Sequence, residues 1–267
     1  MNPIELFQAG KLVEAVAAVT DSVRNKPTDV KSRSLLCELL CFSGEFERAD
    51  KQLDAALQTD PQTMTGVSLL KHLIRSELSR REVFRQGRVP EFLAMPTASQ
   101  KLRLEALVCL RAGHHADAGR LAGEAAELDP ELSGEVNGTT FSQFRDMDDI
   151  LGQTLEVYTA TGKYYWIGFE QIVSLEFNPV EHLSDMLWRS AAIETAGEVS
   201  GRVHIPALYE GSANSADQRI RIGRATEWNQ ADPAAPTLGA GQREFLMNDD
   251  VISIMEINKL SFVTSGH

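Results

Sequence analysis

The densest group of side chains able to do chemistry is Asp146, Asp148 and Asp149 in the run FRDMDD, next to Arg145. Carboxylates gathered this way can ligate a hard cation, or split their pKa values and act as an acid and base pair. The run lacks the glycine and closing glutamate of a calcium loop, and no histidine lies near it in sequence. Two readings stay open: an enzyme or metal-binding protein using this cluster, or capping and salt bridges in a solvated linker. Tyr164, Tyr165 and Trp166, beside Lys163, would make a stacking platform for bases or sugars. In a strand, however, alternate residues face opposite sides, so at least one of these rings points into the core. The six histidines are scattered. His114 and His115 sit on a predicted turn, His204 lies in RVHIP, His267 is terminal, and none is paired with Cys or Ser as an activated nucleophile. The sequence holds no GxSxG, no Walker loop and no GxGxxG. No reaction and no cofactor is expected.

Composition narrows the partners. The formal charge of -12, from 38 acidic against 26 basic residues, repels phosphate backbones and anionic membranes and leaves room for a basic partner. Cys37, Cys41 and Cys109 are an odd number with no cysteine-rich framework, which points to a reducing compartment. Cys37 and Cys41 lie near one face of a predicted helix and read as small buried hydrophobes. The start MNPIELFQAGKLVEA has no basic segment followed by an apolar run, and no window reaches the roughly 18 apolar residues of a membrane span. A cytoplasmic protein is expected.

The elements that would position these residues fall into two kinds. Gly10, Ala15 and Pro27 recur 34 positions later as Gly44, Ala49 and Pro61, then 69 positions later as Gly113, Ala118 and Pro130. The period predicts tetratricopeptide-like helical hairpins, with one degenerate unit at about 62–96. In the clearest unit Leu36, Leu39 and Leu40 line a first helix, Gly44 breaks it at a positive φ, and Phe46, Ala49, Leu53, Ala56 and Leu57 line a second. Small alanines let the paired backbones approach, and Asp60-Pro61 ends the hairpin.

From about Phe141 short β-rich runs replace helical spacing. Strands are predicted at 155–159, 164–169, 172–177, 203–205, 219–223, 244–247 and 251–260, with turns at 160–163 and 248–250. Val180 to Arg189 reads as a short helix and Gln230 to Gly241 as a surface loop. The fold class is therefore α+β multidomain, with a repeat domain over 1–135 and a β-rich domain with a short helix over 141–267.

The wording of the C-terminal half carries a resemblance: FRDMDDILGQTLEVYTATGKYYWIGFEQI, LSDMLWR, IPALYEGS, RIGRATEW and GQREFL, joined to LLCELLCFSGEFERADKQLDAAL earlier in the chain. In these motifs the sequence resembles the ImpE family, of the SciE or TagJ type, found in type VI secretion clusters. The resemblance implies a non-enzymatic, cytoplasmic accessory component that binds the N-terminal helix of the small sheath subunit and links it to recycling by an AAA+ unfoldase. It carries no catalytic residues. Glu210 stands where a proline is expected in PALYPGS, which leaves only a loop conformation in question.

A repeat platform offers a concave face to an amphipathic helix. In the register set by Pro61 and Pro130, that face would carry Ser34, Glu38, Cys41 and Phe42 in one unit and Arg103, Leu107, Leu110 and Arg111 in another. Phe42, Leu107 and Leu110 would anchor an apolar stripe, with Glu38 and the arginines orienting it. The competing reading is that these residues are core, or are covered by the C-terminal half folding back.

Overall fold

The computed structural model describes residues 1–197 and 199–263; the terminal His267 lies outside them. The first half is helical: α1 (Pro3–Gln8), α2 (Leu12–Asn25), α3 (Val30–Phe42), α4 (Phe46–Thr59), α5 (Met64–Gln86), α6 (Ala98–Arg111) and α7 (His115–Leu128). Helix starts follow capping chemistry. Asn2 and Thr97 each close a capping box, and the Asp29 side chain accepts from the amides of Lys31 and Ser32. The marker glycines are the turns: Gly10, Gly44 and Gly113 stand at φ of 79, 72 and 77° between α1 and α2, α3 and α4, and α6 and α7. Ala49, Ala118 and Ala125 are fully buried where paired helices meet. The unit without markers is a single helix, α5, stopped by Gly87 at φ 82°. Among the described residues, no helix is long and apolar enough to cross a membrane.

Strands follow: β1 (Gly134–Val136), β2 (Thr139–Phe141), β3 (Phe144–Asp146), β4 (Thr154–Thr159), β5 (Tyr164–Gly168), β6 (Ile172–Phe177), β7 (Trp188–Thr195) and β8 (Ser200–Pro206). After a one-turn helix α8 (Gln218–Arg221) come β9 (Thr226–Asn229), β10 (Leu238–Gly241), β11 (Glu244–Met247), β12 (Asp250–Ser253) and β13 (Lys259–Phe262). An eight-stranded antiparallel sheet has the order β2-β1-β13-β6-β7-β8-β4-β5; β12-β11-β3 form a second sheet, and β9 with β10 an isolated pair. The chain is thus α+β, helices first.

Four local expectations are corrected. Only Leu183–Met186 of the predicted helix 180–189 is helical, as a 3-10 turn, because Trp188 and Arg189 pair with Pro206 and Ile205 and are claimed by the β7–β8 ladder. Conversely, the predicted strand 219–223 is the start of the Asp217-capped turn α8. The predicted loop 230–241 ends in strand β10, and 251–260 is broken between β12 and β13. Short apolar runs carry too little periodicity to separate these states.

The β4–β5 end of the eight-stranded sheet is buried on both faces, alternate residues serving opposite sides. Tyr158, Tyr164, Trp166 and Trp188 join the helical core, while Leu155, Val157, Ile167, Val203 and Ile205 pack with Phe144, Phe169, Phe245 and Phe262 on the other side. The helical core therefore continues into the C-terminal half. β4 and β5 lie against α5, and the linker after α5 joins the free edge of β5, where the Glu91 amide donates to Tyr164 O at 3.0 Å and Glu91 O accepts from the Trp166 amide at 2.9 Å.

Candidate functional site

The interior of the helix-sheet interface holds a network of charges. Glu156, at the centre of β4 and facing α5, accepts two hydrogen bonds of 2.7 Å from Nε and a terminal nitrogen of Arg80. It also accepts from Arg243 and, at 2.5 Å, from the Tyr164 hydroxyl, which in turn accepts from Trp166 Nε1 at 2.5 Å. Next to it Glu77 accepts from Tyr158 at 2.5 Å and from Trp188 Nε1 at 3.3 Å. Burial alone would raise the Glu156 carboxyl, but the Arg80 and Arg243 guanidiniums outweigh it and hold the group below its ordinary range. Three elements distant in sequence are joined here: α5, β4 and the start of β11.

The aspartate cluster belongs to the same network. Asp146 Oδ1 accepts from the Asp148 amide at 2.9 Å and lies 2.8 Å from the Tyr209 hydroxyl, and Oδ2 lies 3.3 Å from Arg243 Nε. Asp148 accepts from the amides of Ile150 and Gly239, both at 2.9 Å. Asp149 accepts from the Thr237 amide at 2.7 Å and pairs with Arg145 at 3.3 Å. Burial pushes Asp146 up to about 6, against the pull of Arg243, and pushes Asp148 up to about 7 with the Asp146 charge adding to the rise. These carboxylates tie loops together. Among the described residues, no group of three or more His, Cys, Asp and Glu is arranged to hold a metal ion. Of the aromatic run, Tyr164 and Trp166 are buried and Tyr165 is half-buried on the opposite face.

The residues expected on the inner repeat face divide. Cys41 and Phe42 are buried, and Phe42 packs its ring 5.0 Å from that of Phe7. Burial raises the Cys41 thiol, so it is an inert core group. Arg103 is 1% exposed, forks onto Asp129 at 2.9 and 2.5 Å, and packs against Gly152. Leu107 is buried and Leu110 half-buried, while exposed Arg111 donates to the carbonyls of Val83 and Phe84 at the end of α5. Glu38 is half-buried, accepts from the Ser184 amide at 3.2 Å, and is raised by burial. The C-terminal half touches the row of helices near both of its ends. Gln218 Oε1 accepts from the Val13 amide at the α2 end, and Ala234 rests on Gly119 at the α7 end.

Two openings with apolar walls lie along the helix-sheet interface. A groove of about 450 Å³ between α3 to α5 and β7 to β8 is lined by Glu38, Leu69, Leu70, Leu73, Asp185 and Trp188, among others. A cavity of about 280 Å³ is walled by Phe84, Leu107, Leu110, Leu151 and Leu238, with Arg85, Arg111 and Glu210 on it. Glu210, the residue in place of the expected proline, pairs with Arg85 at 2.6 Å. Sequence reading missed Arg80, Glu156 and Arg243. The one available signal was that Glu156 shares a strand face with Tyr158, two residues on in TLEVYT.

Comparison with known proteins adds identity to this geometry. The model of the ImpE protein family matches residues 138–261. The type VI secretion system accessory component TagJ of Pseudomonas aeruginosa is 30% identical over 258 residues, which are 97% of this chain and 90% of that protein. The crystal structure of protein VPA1032 from Vibrio parahaemolyticus aligns with a TM-score of 0.91 at 26% identity, over 98% of this chain and 97% of that one. The likeness thus runs through the helical half, the sheet and the interface between them, and the chain belongs to the ImpE/TagJ family of type VI secretion accessory proteins.

Proposed function

We propose that the protein is a non-enzymatic, cytoplasmic adaptor of the type VI secretion machine that binds the N-terminal helix of the small sheath subunit. The accessory role is the one named for the P. aeruginosa relative, and the helix is the partner that the family resemblance implies. The observation that carries the reading is the groove of about 450 Å³: Leu69, Leu70, Leu73 and Trp188 give it an apolar wall, and Glu38 and Asp185 give it carboxylates. Such a groove suits a helix with an apolar stripe flanked by Lys or Arg, in line with the charge of -12 on the whole chain. Of the eight residues read from the sequence as lining the partner face, Ser34 and Glu38 lie on this groove, and Leu107, Leu110 and Arg111 lie on the second cavity. Catalysis or metal binding by Asp146, Asp148 and Asp149 has less support, because their oxygens already accept hydrogen bonds from the protein's own backbone.

The test is titration calorimetry with a synthetic N-terminal helix of the type VI small sheath subunit of the same organism. Leu69→Ser with Leu70→Ser is expected to weaken binding about tenfold or more, the usual loss for an anchor pair, while Leu107→Ser with Leu110→Ser leaves it unchanged, circular dichroism showing both variants folded. The reverse pattern would move the helix to the second cavity. No binding by the unmodified protein would refute the partner.

A further inference from the structure

The segment from Thr226 to Gly241 is a two-stranded hairpin, β9 with β10, that joins neither of the other sheets. A lone hairpin is marginal in water and needs outside attachments. Trp228 and Leu238 are half-buried, Trp228 meeting the Tyr209 ring edge-on at 5.5 Å, and the tip contributes Ala235 as a buried apolar residue. The other attachments are polar and close-range. The Asp149 carboxylate accepts from the Thr237 amide at 2.7 Å, and the Asp149 amide donates to Thr237 O at 3.0 Å. Asp148 accepts from the Gly239 amide at 2.9 Å. At the tip, the carbonyl of Ala234 rests on α7 at Gly119, where an added Cβ would lie 1.9 Å from its oxygen. At the base, Ser212 Oγ accepts from Gly241 N and Gly241 O accepts from Tyr209 N, so the hairpin is rooted where it leaves the body.

Under this hairpin lies the cavity of about 280 Å³, with Leu238 and Gly239 closing one side and Leu107, Leu110, Phe84 and Leu151 on the others. We propose that the β9–β10 hairpin is a displaceable arm, clasped by Asp148 and Asp149, that withholds the inner face of α6 around Leu107 and Leu110 until the clasp is broken. The device is an autoinhibitory contact, independent of which partner the larger groove takes. A segment held by two carboxylates, one edge-on ring contact and small-residue packing opens at lower cost than the β7–β8 ladder inside the eight-stranded sheet.

Two measurements test the arm. In the unmodified protein, native-state hydrogen exchange should show the amides of Thr237 and Gly239 exchanging at least tenfold faster than those paired between β7 and β8; equal protection would overturn the proposal. In a Cys109→Ser, Leu110→Cys background, Asp149→Ala removes one charged acceptor and should speed maleimide labelling of the new thiol about tenfold, while buried Cys37 in α3 stays protected. No acceleration would overturn the arm, and equal acceleration at Cys37 would do so too, since it would mean that the whole protein opens.

Discussion

Replacing Glu156 with glutamine keeps the shape of the side chain and removes its charge. Glu156 is 0% exposed and accepts from Arg80 twice, from Arg243 and from Tyr164. Glutamine offers one carbonyl oxygen and turns an NH₂ group toward one of the guanidiniums, leaving Arg80 and Arg243 as buried cations with too few acceptors. Four bonds to a charged group at roughly 1.5 kcal/mol each would sum to about 6 kcal/mol, an upper figure because neighbours relax. Measured losses from breaking one partner of a buried ion pair, about 3 to 5 kcal/mol, set the expectation. Urea unfolding followed by both tryptophan fluorescence and far-UV circular dichroism is the assay. The fluorescence reports Trp166 and Trp188 at the helix-sheet interface, and circular dichroism reports mainly the helices. Both midpoints should fall together, since the network joins the two halves. A double-mutant cycle with Arg80→Gln should give a coupling above about 1 kcal/mol. A loss below about 1 kcal/mol for Glu156→Gln, or no coupling to Arg80, would refute the view that this network fastens the sheet to α5.

Three further outcomes are expected. Gly152→Ala places a side chain on a residue at φ 51° with its Cβ 2.1 Å from the Arg103 guanidinium, so it should cost about 2 to 4 kcal/mol in a thermal or urea melt, from strain and overpacking together; a wild-type midpoint would free Arg103 from its clip role. Ala49→Leu, at a fully buried position in α4, should cost about 1 to 3 kcal/mol in the same melts, and a neutral result would remove Ala49 from the α3–α4 contact. The Tm should be higher at pH 6 than at pH 8: Asp146 and Asp148 are raised from 3.8 to about 6 and about 7, so the folded state holds protons that the unfolded chain has released, a contribution complete below about 4 and lost as pH rises through 6 to 7. Glu156, held low, has the opposite sign but adds nothing further above its ordinary value of 4.5, while His204, lowered by burial, opposes the trend within the window; measured in a His204→Gln background, a Tm that rises from pH 6 to pH 8 would contradict the burial of the two aspartates.

Local rules made part of this structure legible. Glycine at 10, 44 and 113 ends one helix and starts the next because it alone adopts a positive φ without strain, and short runs rich in apolar and β-branched residues at 155–159, 172–177 and 244–247 mark strands. What could not be read was decided by partners far away in the chain. Trp188 looks helical among Leu183, Met186 and Leu187, yet Pro206 claims it for a ladder. Arg80 and Glu156 lie 76 positions apart and each resembles an ordinary surface residue in its own segment. The acidic run FRDMDD was conspicuous and its members do act together, but as fasteners of backbone amides in 150, 237 and 239, a role no spacing in the run announces.

The groove at Glu38 is not a feature of the helices alone. Here the groove at Glu38 has one wall from α3 to α5 and the other from β7, β8 and the turn at Ser184. Glu38 itself is held in place by the Ser184 amide from the opposite wall, so the width of the groove is set by how the sheet seats on α5. That seating is governed by Trp188 and Glu77, which share a hydrogen bond directly beneath the groove, and by the Arg80 pair one turn further along α5. The buried ion network is therefore more than a source of stability: it fixes the distance between the two walls of the groove.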